Sequence, residues 1–416
     1  MLFPFRGEQL PRPMLMKYAR SADRATRRAC YEALGTTLEA HSEQLDDIFD
    51  RLVHVRDRMA KKMGYENFIE LGYCRMERMC YDVQAVQTFR ENIVHDIVPV
   101  VSRLRLENAK RLGIDTFRLY DNEVFAPGGD PTPCGKEALF AAAQKMYDGM
   151  GDVPGAFFRM MCENEAFDVE SRPNKWGGGY CTEFVKYHQP FILANFNGTS
   201  GDVDVVTHEA GHALNAYLIA DNRFALELGC GGMETAETHS MSMEFFAWPY
   251  LDGFFPKAGD AQRYRFQHAL DALSFLPYGT MVDEFQHRIY AEPDLTPAGR
   301  NAVWLELEAK YRPHIDQRSI PYLERGTRWQ YQMHIYETPF YYIDYCLAQT
   351  AAFQFLLASQ DDYADAFARY LHLSEQGGEK LWTDLLTEAG FRSPFAPGAL
   401  AQLAAQVEPL IRRQNI

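Results

Sequence analysis

The segment His208-Glu-Ala-Gly-His212 places two histidines four residues apart, with a glutamate directly after the first. Residues four apart lie one above the other on an α-helix, so both imidazoles can direct a ring nitrogen at one metal ion. Glu209 then lies beside the metal, where a carboxylate can take a proton from an activated water. The capping-box-like pair Thr199 and Asp202, followed by valine, alanine and leucine positions, predicts the required helix. The spacing therefore predicts a zinc-dependent hydrolase.

A catalytic zinc ion usually takes three protein ligands and leaves its fourth position to water. After a glycine-rich loop, residues 233–248 read as a second helix, and its candidate ligands are Glu234, Glu237, His239 and Glu244. We select Glu237, which shares a helix face with Glu244 two turns further on. Glu244 is interpreted as a carboxylate that orients a ligand or pairs the helices, with metal ligation as the alternative. Glu234 is predicted to face solvent, and His239, which points away from Glu237, is predicted to be structural.

These motifs resemble those of a known family. H-E-A-G-H followed by E-T-H-S-M-S-M-E, which begins at Glu237, is similar to the zinc site of the thimet oligopeptidase and oligoendopeptidase F family. The family pattern is H-E-x-G-H and then E-x-x-S-x-x-x-E, whose first glutamate is the third ligand. The resemblance implies that His208, His212 and Glu237 bind one zinc ion per chain and that Glu209 is the catalytic carboxylate.

A β-prone stretch, residues 190–196, precedes the motif helix and ends at the turn signal Asn197-Gly198. We interpret it as an edge strand to which an extended peptide adds itself through main-chain hydrogen bonds. An ordinary core strand is the alternative. The resemblance, which implies a substrate-lining strand at this place, favours the first interpretation.

Five tyrosines fall within 15 residues: 331, 336, 341, 342 and 345. A phenol or an imidazole N–H can stabilise the oxyanion that forms when water attacks a peptide carbonyl. The window resembles the family's segment in which one histidine and tyrosines three apart face the substrate. The best match makes His334, Tyr342 and Tyr345 catalytic candidates, and a register shifted by one residue would put Tyr341 in place of Tyr342.

Composition limits the classes of partner. Of the 416 residues, 42 are basic and 57 are acidic, which gives a net charge of −15 and argues against a nucleic-acid or anionic-membrane surface. No apolar run approaches the roughly 20 residues that span a bilayer, and the N-terminus lacks the order of a signal peptide. The eight scattered cysteines are expected to be reduced, with Cys181 and Cys230 near the site. A cytoplasmic location is the default expectation.

The chain reads as mainly helical with a small β-sheet. Helical periodicity covers about residues 13–63, 84–112, 136–148 and 261–290, and the Pro- and Gly-rich stretch 125–133 interrupts it. Together with the resemblance, this predicts a zincin-like fold, in which two helical lobes enclose a central cleft that carries the H-E-x-x-H helix. We expect one catalytic domain over 1–416, with 1–125 as a helical N-terminal portion and 126–416 as the core and C-terminal helices.

The resemblance begins near Leu15, and the family's additional N-terminal lobe has no counterpart before it. A missing wall would expose apolar surface, which favours self-association. The activity expected is zinc-dependent oligoendopeptidase cleavage of short unstructured peptides. One alternative is a zinc carboxypeptidase or dipeptidase, whose carboxylate anchor would be Arg325 or Arg328. The other is a peptide-binding protein that keeps zinc and has lost turnover.

Overall fold

The computed structural model describes residues 1–220, 228–229 and 231–414. Helices dominate this part of the chain, as the periodicity predicts. Their bounds are α1 Arg12–Met16, α2 Arg24–Glu39, α3 Ser42–Lys62, α4 Phe68–Arg75, α5 Val83–Asn92, α6 Val98–Arg111, α7 Lys136–Met150, α8 Asp152–Glu163, α9 Gly201–Ile219, α10 Met233–Phe246, α11 Asp260–Ala291, α12 Pro297–Tyr311, α13 Pro321–Glu324, α14 Met333–Glu337, α15 Tyr342–Asp361, α16 Tyr363–Ser374, α17 Trp382–Glu388 and α18 Ala399–Gln414. With the small sheet described next, they confirm the mainly α fold.

Five short strands complete the described structure. β1 (Leu2–Phe5) and β2 (Glu8–Pro11) form a hairpin, while β3 (Phe167–Glu170), β4 (Tyr180–Phe184) and β5 (Gln189–Phe196) form a sheet in the order β3-β5-β4. β5 runs parallel to β3 and antiparallel to β4. The prediction that 190–196 is an edge strand is therefore wrong, because β5 is hydrogen-bonded on both sides. The edge strand beside the motif helix is β4.

The motif helix α9 starts directly after β5. The Asp202 carboxylate accepts hydrogen bonds from the backbone N–H groups of Asn197 (3.0 Å) and Gly198 (2.8 Å), which holds the turn between the strand and the helix. Gly198 has φ +79°, a left-handed conformation that glycine adopts without strain. The connection is therefore short and held by hydrogen bonds, so the position of the sheet determines the position of α9.

Helix α10 lies at the centre of the fold, packed against α9 on one side and α15 on another. The closest approach is at Gly211 of α9, where a Cβ atom would lie 2.7 Å from the carbonyl oxygen of His239 on α10. Only a residue without a side chain allows the two backbones to approach so closely. One large apolar cluster surrounds these helices, and a second cluster joins β1, α2 and the region of Ile320. None of the described helices combines the length and apolarity needed to span a membrane.

Candidate metal centre and cleft

The two histidines of α9 and Glu237 of α10 converge. Nε2 of His208 and Nε2 of His212 lie 3.3 Å and 3.5 Å from Oε2 of Glu237, and the ligating atoms of all three residues lie within 4.8 Å of one another. Two imidazole nitrogens and one carboxylate oxygen are a donor set that suits Zn²⁺ and leaves a coordination position open. Among the described residues, this is the one group of three His, Cys, Asp or Glu side chains that meets this distance criterion.

Glu237 is held from two further sides. The Ser240 hydroxyl donates to its Oε2 at 2.9 Å, and the Tyr341 hydroxyl donates to its Oε1. The carboxylate is buried, which opposes ionisation, but the neighbouring His212 and His208 outweigh burial and hold the pKa of Glu237 well below its usual range. The group is therefore the anion that a metal ligand must be.

A chain of hydrogen bonds orients the His208 ring. Nδ1 of His208 lies 2.7 Å from Oε1 of Glu244, whose Oε2 lies 2.7 Å from Nε2 of His268, and the Trp248 indole N–H donates to Nδ1 of His268 at 2.9 Å. Because an indole nitrogen only donates, Nδ1 of His268 accepts and its Nε2–H faces Glu244. His208 then donates from Nδ1 and presents the Nε2 lone pair to the point at which His212 and Glu237 converge. Burial opposes ionisation of Glu244, but the hydrogen bonds from both histidines lower its pKa to about 2.

Glu209 is buried in the same cleft, and its Oε2 has no hydrogen-bond partner among the described residues. Burial raises the pKa of this carboxyl group above its usual value. Gly179, just before β4, makes room for it, because a Cβ atom there would lie 3.0 Å from Oε1 of Glu209. The Asn195 amide donates to the carbonyl oxygens of Trp176 and Gly178, both at 2.8 Å, and so holds this glycine segment in place.

The tyrosine segment divides between the cleft and the core. Tyr341 and Tyr345 line the cleft with ring centroids 4.8 Å apart. His334 is not among the residues that line the cleft. Its ring centroid lies 5.0 Å from that of Tyr342 and 6.0 Å from that of Tyr345. Tyr342 packs on Phe275, at 5.6 Å between centroids, rather than lining the cleft. Burial lowers the pKa of His334, so its imidazole is neutral at pH 7.

The cleft has a volume of about 530 Å³, and β4 forms one wall from Gly179 to Glu183. Cys181 lies on this wall, as expected, and burial raises the pKa of its thiol, which therefore stays protonated. The prediction for Cys230 lies outside the described residues.

Two other predictions for α10 have opposite outcomes. His239 is buried, which agrees with a structural residue. The prediction that Glu234 faces solvent is wrong, because its side chain is only 3% exposed and Oε2 has no partner among the described residues. Packing of α10 against both α9 and α15 leaves no solvated face at this position. Burial raises the pKa of Glu234 to about 7.

Comparisons with known proteins agree with this geometry. Residues 17–127 and 152–405 match the profile of peptidase family M3. Structures similar to the chain include PZ peptidase A with an inhibitor, at 43% identity over 98% of this chain and 72% of the other, with a TM-score of 0.96. An oligoendopeptidase F from Bacillus anthracis str. Ames shares 38% identity over 99% of this chain and 71% of the other, with a TM-score of 0.89.

The chain belongs to peptidase family M3, and the resemblance inferred from its motifs is confirmed. A curated relative, oligopeptidase PepF of Bacillus subtilis (strain 168), is 22% identical over 398 residues, which are 92% of this chain. The chain spans only 56% of the length of that relative.

Proposed function

We propose that this protein is a zinc-dependent endopeptidase that cleaves internal bonds of short, unstructured peptides. The observation that carries the proposal is the meeting of His208, His212 and Glu237 in a cleft that also contains the buried carboxylate of Glu209, whose Oε2 has no hydrogen-bond partner among the described residues. Family membership supports the peptidase class. We further propose that residues 1–416 act as one catalytic domain.

Zinc fits the donors that the chain supplies. His208, His212 and Glu237 would hold one ion, and a zinc ion there supplies a Lewis acid for the peptide carbonyl and makes water more acidic. The hydrogen bond that His208 donates to Glu244, and those that Glu237 accepts from Ser240 and Tyr341, fix the ligand atoms in advance. Such outer partners typically contribute tenfold to a hundredfold to metal affinity.

Protons move through Glu209 in the proposed reaction. Its carboxylate takes a proton from the attacking water and later delivers it to the leaving amine nitrogen. Burial raises the pKa of this carboxyl group, and a raised pKa suits a base that must also give the proton back. Gly179 keeps this position open to both the water and the substrate.

We assign the stabilisation of the oxyanion to the tyrosine segment. Tyr345 lines the cleft, and its hydroxyl can donate to the developing negative charge. His334 and Tyr342 remain catalytic candidates from the motif, and both pack against the Tyr345 ring, at 6.0 Å and 5.6 Å between centroids. They are positioned to orient that phenol.

The strand β4 offers the substrate its main-chain partner. Among the described residues it pairs with β5 on one side only, and residues 179–183 line the cleft along it. An extended peptide can add to this edge through backbone hydrogen bonds, which recognise any sequence that is unfolded. Folded proteins do not present such a segment, so short unstructured peptides are the substrates that fit.

The charges around the cleft favour an endopeptidase over a carboxypeptidase. A carboxypeptidase needs a cation for the terminal carboxylate, but no lysine or arginine is among the described residues that line the cleft. Arg325 forms an ion pair with Glu39 instead. Arg328 lies over the ring of Tyr278, 4.3 Å from its centroid.

The test combines metal removal with one substitution. Purified protein should bind about one zinc per chain by elemental analysis, and it should cleave a quenched fluorescent peptide that is blocked at both ends. Chelation should abolish cleavage and added zinc should restore it. Glu209→Gln should keep the zinc and lower kcat by roughly 10²- to 10⁴-fold, while Glu66→Gln, at an exposed position, should change neither.

Full cleavage by thoroughly demetallated protein would overturn the proposal. Cleavage of free-ended peptides with none of the blocked one would replace it with an exopeptidase. Zinc binding without turnover of any peptide would favour the peptide-binding alternative.

A further inference from the structure

Glu183 is an acidic side chain on the cleft wall that the proposed reaction does not use. It lies on the edge strand β4 and lines the same cleft as Glu209 and Glu237. The ionisable residues that line the cleft are acids, histidines, tyrosines and a thiol, with no lysine or arginine among the described ones. In the proposed reaction Glu237 binds the metal and Glu209 acts on the water, so among the described lining residues Glu183 is the carboxylate that remains for a substrate side chain.

Strand geometry directs Glu183 to the substrate. Side chains alternate along a strand, so Gly179, Cys181 and Glu183 point to one face and Tyr180, Thr182 and Phe184 to the other. The burial pattern agrees, because Cys181 and Glu183 are half-buried while the three alternate residues are exposed. Gly179 belongs to the face that is directed at Glu209, because a Cβ atom there would lie 3.0 Å from Oε1 of Glu209. Glu183 therefore faces the cleft on the same side as the catalytic carboxylate.

Glu183 lacks a lysine or arginine partner among the described residues, and its side chain makes no hydrogen bond with them. Partial burial raises its pKa, and among the described residues the charge of His188 counteracts this effect. A half-buried carboxylate without a partner gains most from a cationic ligand group, because its hydration is already incomplete.

We propose that Glu183 determines specificity by selecting peptides with a lysine or arginine side chain at one position of the substrate. This inference rests on the proposed peptidase function. Four residues of strand separate Gly179, at the catalytic carboxylate, from Glu183, which corresponds to about 13 Å along β4. A peptide paired with β4 has the same rise, and a lysine side chain is long. The selected side chain is therefore roughly two to four residues from the cleaved bond.

The experiment uses blocked peptides with one fixed cleavage site. In a neutral reference sequence, each position in turn carries norleucine, lysine or glutamate. In the wild-type protein, lysine at one position should raise kcat/KM about tenfold over norleucine, mainly through KM, and glutamate there should lower it. In Glu183→Gln the lysine-to-norleucine ratio of kcat/KM should fall towards one. In Glu183→Lys the peptide with glutamate at that position should have a higher kcat/KM than the peptide with lysine.

A matched control and a second readout make the result decisive. Glu163→Gln removes the same charge at an exposed position on α8 and should leave the ratio at its wild-type value. Binding of the same peptides is measured by fluorescence anisotropy with Glu209→Gln protein, with and without the additional Glu183→Gln change. A lysine preference that disappears with Glu183→Gln in binding supports the proposal even if no peptide is cleaved, which would be a failure of the proposed function alone. An equal ratio at every position, or one that Glu183→Gln leaves unchanged, overturns it.

Discussion

The side chains at the proposed metal centre have separable tasks, and the two tyrosines on the cleft wall show this most clearly. Tyr341 donates to the proposed ligand Glu237, whereas Tyr345 lines the cleft and is proposed to face the substrate carbonyl. Tyr341→Phe should therefore weaken zinc binding by roughly tenfold to a hundredfold. Tyr345→Phe should retain zinc and lower kcat by about 10²- to 10³-fold.

Zinc competition with a chromophoric chelator and steady-state kinetics at saturating zinc distinguish these two effects. Tyr336→Phe provides the matched control for loss of a phenol, because Tyr336 packs on Phe49, at 5.2 Å between ring centroids, outside the cleft lining. An equal loss of kcat in Tyr336→Phe would show that the effect is not specific to the phenol of Tyr345. A loss of zinc in Tyr345→Phe would place that phenol at the metal instead.

Sequence reasoning at the residue scale succeeds where the chemistry depends on local spacing. The positions of His208, His212 and Glu237 follow from helical repeats within α9 and α10, and the structure brings the three together. The tyrosine register could not be predicted in this way. Tyr341 follows Phe340, which has φ +71°, so its direction depends on a turn and not on a helical repeat.

That turn is held by distant parts of the chain. The guanidinium of Arg78 donates to the carbonyl oxygen of Phe340, and the Gln286 side chain accepts from its backbone N–H at 2.9 Å. A left-handed conformation is costly for a bulky residue and persists only where surrounding contacts impose it. Such contacts cannot be read from the local sequence around Tyr341.

At the scale of elements, the approach of α9 to α10 sets the distance between the two histidines and Glu237, the proposed metal ligands. A Cβ atom at Gly211 would lie 2.7 Å from both the His239 carbonyl oxygen and the Cα of Ser240, which are backbone atoms that cannot rotate away. Gly211→Ala should therefore push α9 away from α10 and separate the two histidines from Glu237. We expect weaker zinc binding, by at least about tenfold, and a lower free energy of unfolding by roughly 1–3 kcal/mol.

Isothermal titration with zinc and urea unfolding of the metal-free protein measure the two effects. Gly253→Ala is the control, because a Cβ atom there would meet its nearest neighbour at 3.6 Å, an ordinary contact. Unchanged zinc affinity in Gly211→Ala would show that helix separation does not control the site.

Pairing and packing between elements also explain the two sequence predictions that are wrong. The stretch 190–196 is a strand as predicted, but its central place depends on pairing with β3 and β4, which the strand's own residues do not encode. Glu234 has the spacing of an exposed position, yet α10 is covered by α9 and α15. Helical periodicity reports one buried face and does not detect a helix that is enclosed on several sides.

At the scale of the whole molecule, the buried Glu234 links the stability of the fold to pH. Burial raises the pKa of Glu234 to about 7, with the Asp344 carboxylate adding to the effect and Arg78 opposing it. In the unfolded chain the group titrates at its ordinary value near 4.5. Between these two values the folded protein keeps a proton that the unfolded chain releases, so the free energy of unfolding falls as pH rises through this range. Well above pH 7 Glu234 is ionised in both the folded and the unfolded chain, so the free energy of unfolding no longer falls on its account.

Glu234→Gln removes this dependence, because an amide has nothing to titrate. Urea unfolding of both proteins with chelator present, so that metal binding does not contribute, gives the difference in free energy of unfolding at each pH. Between pH 5.5 and pH 8 the free energy of unfolding of Glu234→Gln should rise relative to that of the wild-type protein by about 2 kcal/mol. Any effect of the altered side-chain shape is the same at every pH and does not change this trend. Glu66→Gln, at an exposed site, should show no such trend. If the difference stays constant with pH, the pKa of Glu234 is the same in the folded protein as in the unfolded chain. That result would contradict the raised pKa expected of a buried carboxyl group.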